Sequence, residues 1–150
     1  MEEFDPIQKL QEWGIVKAEL QTEASSVLFK EGEVWWANVG MNLGEEIFGK
    51  GDRFKRPVLV FRKITKNLFL GLPITSQERN GDWYVPIVLP GRPRWAMLHQ
   101  VKVFDKKRLV QRLGTLKELD LENIHERFRA FYCPQKIVTP PPNEEAGISG

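Results

Sequence analysis

Lys55-Arg56-Pro57-Val58-Leu59-Val60-Phe61 is an apolar run opened by two cations, and Leu68-Phe69-Leu70-Gly71-Leu72-Pro73-Ile74-Thr75-Ser76 follows shortly after it. Both runs are short and bounded by polar or turn-forming residues, which is how buried strands read. The texture extends outward. Glu31-Gly32-Glu33-Val34-Trp35-Trp36 and Val39 precede them, Tyr84 to Leu89 follows, and Ala96 to Phe104 alternates around Gln100 and Lys102. Gly-, Pro- and Asn-containing stretches at 40–55, 79–82 and 90–94 separate the runs. Asn80-Gly81 predicts a tight hairpin, because both central positions of a type I′ turn require positive φ. Short strands at this spacing predict a small, strongly bent sheet or barrel.

Helices flank the β region. Asp5 suits an N-cap and Pro6 the first helical position. Ile7, Leu10, Trp13, Val16 and Leu20 then recur at three- and four-residue spacing, predicting a helix over 5–24 that Gly14 weakens and could break. A second helix is expected over about 118–132, with Leu121, Ile124, Phe128 and Phe131 on one face. Thr115 with Glu118, or Asp120 alone, could cap its start. The three prolines at 140–142 and the small polar residues after them predict a disordered tail. The resulting division is a helical extension over 1–29, a main domain over 30–133 and a Pro-rich tail over 134–150.

The 150 residues carry a net charge of +2, unevenly distributed. Residues 31–115 hold 15 basic and 8 acidic side chains, a net of +7 that could attract a polyanion or simply coat a solvated face. No apolar run is long enough for a membrane span, and no signal-peptide pattern is visible. Cys133 is the one cysteine, so an intrachain disulfide is excluded and a reducing, cytoplasmic setting is expected.

The two histidines and Cys133 show no metal-ligand spacing, and neither a Walker loop nor a Gly-x-Ser-x-Gly elbow occurs. No metal or other cofactor is therefore expected. Metal-free phosphodiester cleavage needs a proton acceptor, a stabiliser of the phosphorane charge and a proton for the leaving oxygen. Arg56, opening a strand after a long polar loop, suits the second role, since a guanidinium grips phosphate bidentately. Thr75 and Ser76, ending another strand, could hydrogen-bond a phosphate oxygen. On the residues alone, a solvated strand-end arginine and a turn-closing Thr-Ser explain the same pattern.

In this order, Glu31 to Trp36, Gly44-Glu45-Glu46, Lys55 to Val60, Leu68 to Ser76 and His99-Gln100-Val101-Lys102-Val103-Phe104-Asp105-Lys106-Lys107-Arg108-Leu109 resemble the MazF/PemK family of toxin endoribonucleases. The resemblance covers about 31–110. It implies a mainly β, α+β fold built on a small SH3-like barrel, with the helices as additions. It further implies a homodimer that cuts single-stranded mRNA without a metal, leaving a cyclic phosphate and a 5′-hydroxyl, and that a cognate antitoxin with an acidic tail neutralises.

By the same resemblance Arg56 and Thr75 are catalytic, Glu46 matches the acidic residue of the family's loop, and Gln100, Lys102 and Asp105 match a later motif. Some members carry an Asp just before that glutamine and an Arg two residues earlier. Here those positions are His99 and Met97, and His99 becomes a candidate general base. Substrate contacts are expected from Glu46, Ser76, Gln100, Lys102, Lys55 and Arg53, and from Trp83 and Trp95 as stacking platforms. Phe48, Phe54, Arg92 and Arg94 lie in or near the same loops. Trp35 and Trp36 should divide between the core and a subunit interface.

Two other readings remain. CcdB toxins resemble this fold but poison gyrase by binding. They depend on a Trp-Gly-Ile ending, whereas these residues close on Gly-Ile-Ser-Gly. A nucleic-acid-binding barrel without catalysis is the third reading, and Arg56 together with Thr75 counts against it.

Overall fold

The computed structural model describes residues 3–135; the expected tail from residue 136 onward lies outside the described residues. Helix α1 (Pro6–Thr22) leads into strands β1 (Glu33–Asn38), β2 (Lys55–Lys63), β3 (Leu68–Thr75), β4 (Tyr84–Val88), β5 (Pro93–Met97), β6 (Lys102–Asp105) and β7 (Leu109–Thr115). Helix α2 (Glu118–Tyr132) follows. All strand pairs are antiparallel, in the order β4-β5-β3-β2-β1-β7, with β6 also on β3. The mainly β, α+β expectation holds.

Alternation sorts the strands onto two cores. Val34, Leu59, Leu72, Ile74, Val85, Ala96 and Leu98 bury one face, on which Ile124, Leu121, Phe128 and Phe131 of α2 pack. Trp35, Ala37, Val58, Val60 and Phe69 bury the other, with Phe29 and Phe104. Gly71 permits this second packing, since a Cβ there would lie 2.6 Å from Phe104 and 2.7 Å from Val58. Of the two tryptophans expected to divide between the core and a subunit interface, Trp35 is buried in the core and Trp36 is half-buried beside a surface groove.

Several local expectations change. Asn80-Gly81 does not close a hairpin, because β5 lies between β3 and β4; residues 76–83 form a longer loop instead. Ala96 to Phe104 is two strands, not one. β5 pairs with Ile74 and Thr75, β6 pairs with Leu68 to Gly71, and a 3-10 turn at Leu98–Gln100 spaces the two pairings along β3. Strand β7 has no counterpart in the sequence reading. Lys117, with no side-chain bond, occupies the α2 N-cap in place of Thr115 or Asp120.

Helix α1 is continuous through Gly14, capped by Asp5 as expected through the amides of Ile7 and Gln8. Trp13, Val16 and Leu20 bury Phe54, the last residue of the β1–β2 loop. Phe54 has a φ of 54°, and Gly40, at φ +86°, lies so tightly under the Trp13 indole that no Cβ fits. Helix and loop are thus one packing unit. Trp13→Ala should cost about 3 kcal/mol of stability by cavity formation. Gly14→Ala, with nothing near its Cβ, should gain about 0.5–1 kcal/mol. Urea denaturation checks both.

Candidate active site

The β1–β2 loop is built to stay in place. Gln100 clamps it with both ends of its amide, donating to the Glu45 carbonyl at 2.8 Å and accepting from the Ile47 amide at 2.9 Å. The Asn42 side chain donates to the Ile47 carbonyl, and the Glu46 carboxylate accepts from the Leu43 amide at 2.8 Å. The Phe54 carbonyl receives the amides of Val39 and Gly40 at the loop root. The bound loop aims its Phe48 carbonyl at the first turn of β2.

Arg56 meets that carbonyl. Its Nε donates to Phe48 O at 3.0 Å and one terminal nitrogen reaches Ile74 O at 3.5 Å, while among the described residues no carboxylate pairs with it. The guanidinium is therefore oriented by neutral acceptors and keeps its full charge and remaining N–H groups for another ligand. Burial lowers its pKa from the ordinary arginine value. The Thr75 hydroxyl oxygen accepts from the Gln77 amide at 3.2 Å, which leaves its proton free to donate.

Arg56 and Thr75 share an open cleft of about 330 Å³ with Glu46, Phe48, His99 and Gln100. His99 lies 5.8 Å from the Trp83 ring and 5.2 Å, edge to face, from Tyr84. Burial pulls its pKa below the ordinary value, with Glu45 opposing. A neutral imidazole at physiological pH can accept a proton. Among the described residues, no three His, Cys, Asp or Glu side chains come together as metal ligands would.

The other expected site residues disperse. Lys102 lines an adjoining recess with His99 and Gln100, its pKa lowered by burial and by Arg108 and Lys17, with Glu46 opposing. Lys55 and Ser76 line a groove on the other side of Arg56. Trp83 flanks His99, half-open to solvent. Trp95 pairs across strands with Thr75 but is absent from the cleft wall. Arg53 is not brought to the cleft; it forms an ion pair with Glu19 of α1 at 2.6 Å. Gln77 and Arg79, which the sequence reading missed, line the cleft from the loop after β3 and hydrogen-bond each other at 2.7 Å. Their position just beyond Thr75-Ser76 was the available signal.

Comparisons with known proteins bear on the fold and the family. Structures of MazF from Deinococcus radiodurans, alone and bound to MazE, superpose with TM-scores of 0.57 and 0.51. In each case identity is 17% and the match spans 71% of this chain and 97% or 96% of the other. An endoribonuclease in complex with its cognate antitoxin, from a mycobacterial species, superposes with a TM-score of 0.52 at 14% identity, over 71% of this chain and 97% of that one. No curated protein matches the sequence. The family described as PemK-like, MazF-like toxin of type II toxin–antitoxin system matches residues 30–132. With that match spanning more than half its length, the chain belongs to the PemK-like, MazF-like toxin family.

Proposed function

We propose that the protein is a sequence-selective endoribonuclease that cuts single-stranded mRNA without a metal ion. The observation that carries this reading is Arg56, held on two backbone carbonyls with no carboxylate partner among the described residues, in one cleft with Thr75 and His99. In the reaction, an RNA 2′-oxygen attacks the adjacent phosphorus and passes its proton to His99. Arg56 and the Thr75 hydroxyl take the charge that builds on the non-bridging oxygens. The bond from phosphorus to the 5′-oxygen breaks, that oxygen takes a proton from water in the open cleft, and a 2′,3′-cyclic phosphate remains.

The active unit is a homodimer, restrained by a cognate antitoxin whose acidic tail lies over the cationic cleft. Family membership and the antitoxin complexes among the structural neighbours support this part. A gyrase-binding toxin would have no need of the Arg56–Thr75–His99 arrangement.

Purified protein should cut single-stranded RNA in excess EDTA and leave DNA of the same sequence whole. Arg56→Ala should remain folded and lose two to three powers of ten in rate, as expected for a lost charged donor worth about 3–4 kcal/mol. Thr75→Ala should lose less, because a neutral hydroxyl is the weaker partner. Strict dependence on added magnesium, or near wild-type cleavage by folded Arg56→Ala, contradicts the assignment.

The pH profile tests His99 separately. Only the neutral imidazole accepts a proton, so the rate should fall as pH drops through a value below 6.5, the direction of its shift. That acid limb should flatten in His99→Ala. Light scattering should give twice the 17.4 kDa chain mass at micromolar concentration.

A further inference from the structure

Behind the Arg56–Thr75 wall, away from the cleft that holds His99, lies a groove of about 420 Å³. Lys50, Lys55, Arg56, Arg92 and Arg94 contribute five cations to its lining, and no Asp or Glu lines it. Arg94 is the unusual member. It occupies β5 two residues before the core residue Ala96 and opposite the buried Ile87, on the inward side of the strand. It is only 5% exposed, and its Nε finds no acceptor among the described residues. No carboxylate there pairs with it.

Removing a guanidinium from water without a counter-charge costs several kcal/mol. Neighbouring Arg92 adds repulsion, and together with the larger effect of burial it lowers the Arg94 pKa. An apolar side chain would fill this inward position at less cost. The arrangement becomes intelligible if an anion completes it. Arg92 and Arg94 lie outside the motifs that carry the family resemblance, whereas Lys55, Arg56, Thr75 and Ser76 of the same groove lie within them.

We infer that this groove is a second phosphate subsite, in which Arg94, with Arg92 and Lys55, holds the phosphate next to the scissile one on the same RNA strand. The inference rests on the endoribonuclease reading. Continuity favours RNA as the occupant, because Lys50, Arg56 and Thr75 line both the cleft and the groove. The Ser76 hydroxyl supplies a further donor. Half-buried Trp36 beside the cations offers a flat apolar face to the attached nucleoside. The strand would thus be gripped on both sides of Arg56, which fixes the reacting phosphate against it.

The test uses the full chain and a 2′-O-methylated oligoribonucleotide, which binds but cannot be cut. Arg94→Met should keep or raise the melting temperature, since it removes an uncompensated buried charge. It should weaken binding by about tenfold or more and reduce the steepness of the dependence of log affinity on log salt by about 0.7, the single-strand value for one phosphate contact. Arg92→Gln, at an exposed position, gives the same signs with a smaller affinity loss and guards against misfolding of the first variant. Unchanged affinity and salt dependence in both variants, while the wild type binds and cuts RNA, overturns the subsite alone. A wild type that neither binds nor cuts RNA overturns the functional reading with it. Loss of binding to a poly-glutamate peptide with RNA affinity intact would assign the groove to an acidic protein segment and overturn the inference.

Discussion

The hydrogen bond from Arg56 to the Phe48 carbonyl is the contact on which the cleft depends, because it fixes a charged side chain by a neutral partner. A carboxylate in that place would hold the arginine more firmly and cancel the charge the site needs. A carbonyl orients without neutralising, but it works only if its own loop is immobile. The fold supplies that through the Gln100 clamp on Glu45 and Ile47 and through the Phe54 carbonyl at the loop root. Phe54 takes up a left-handed φ there, at a cost of about 1–3 kcal/mol. Its ring is buried under Trp13, so α1 offsets that strain. The helix ahead of the sheet thereby becomes part of the support for Arg56, reinforced by the ion pair between Arg53 and Glu19.

Electrostatics follow the same logic. Arg56, Arg94, Lys102 and Arg108 all have their pKa values lowered chiefly by burial. Half-buried cations with few anionic partners produce a field that water screens poorly. The Glu33 carboxylate shows the contrast. It is tied down by Arg112, Lys30 and Trp35, with burial opposing the net downward shift, and it stabilises the β1–β7 edge rather than the cleft. Of the basic residues in 31–115, Lys50, Lys55, Arg56, Arg79, Arg92 and Arg94 line the cleft or the adjoining groove.

Much of this was legible in the sequence, for identifiable reasons. The strands of both cores announce themselves by compact apolar runs, and Arg56 and Thr75 stand out because each sits at the end of such a run. Asn80-Gly81 misled because turn chemistry is local, whereas the choice of β5 as the neighbour of β3 is not. β7 was invisible because Val110, Gln111 and Arg112 are exposed on a strand that pairs only with β1. Gln100 and Glu46 read as substrate ligands from motif position, and geometry shows their side chains engaged with loop backbone. Arg94 looked like a loop cation, since no periodicity signals that an arginine will turn inward.

The central claim is that Arg56 is oriented without being neutralised so that it can receive a phosphate. The most direct measurement follows the Arg56 Nε–H resonance by NMR while a 2′-O-methylated oligoribonucleotide is added. The account predicts a saturable shift of that resonance, with a midpoint matching the affinity measured independently. Saturable binding of the oligonucleotide that leaves the Arg56 resonance unmoved would contradict it.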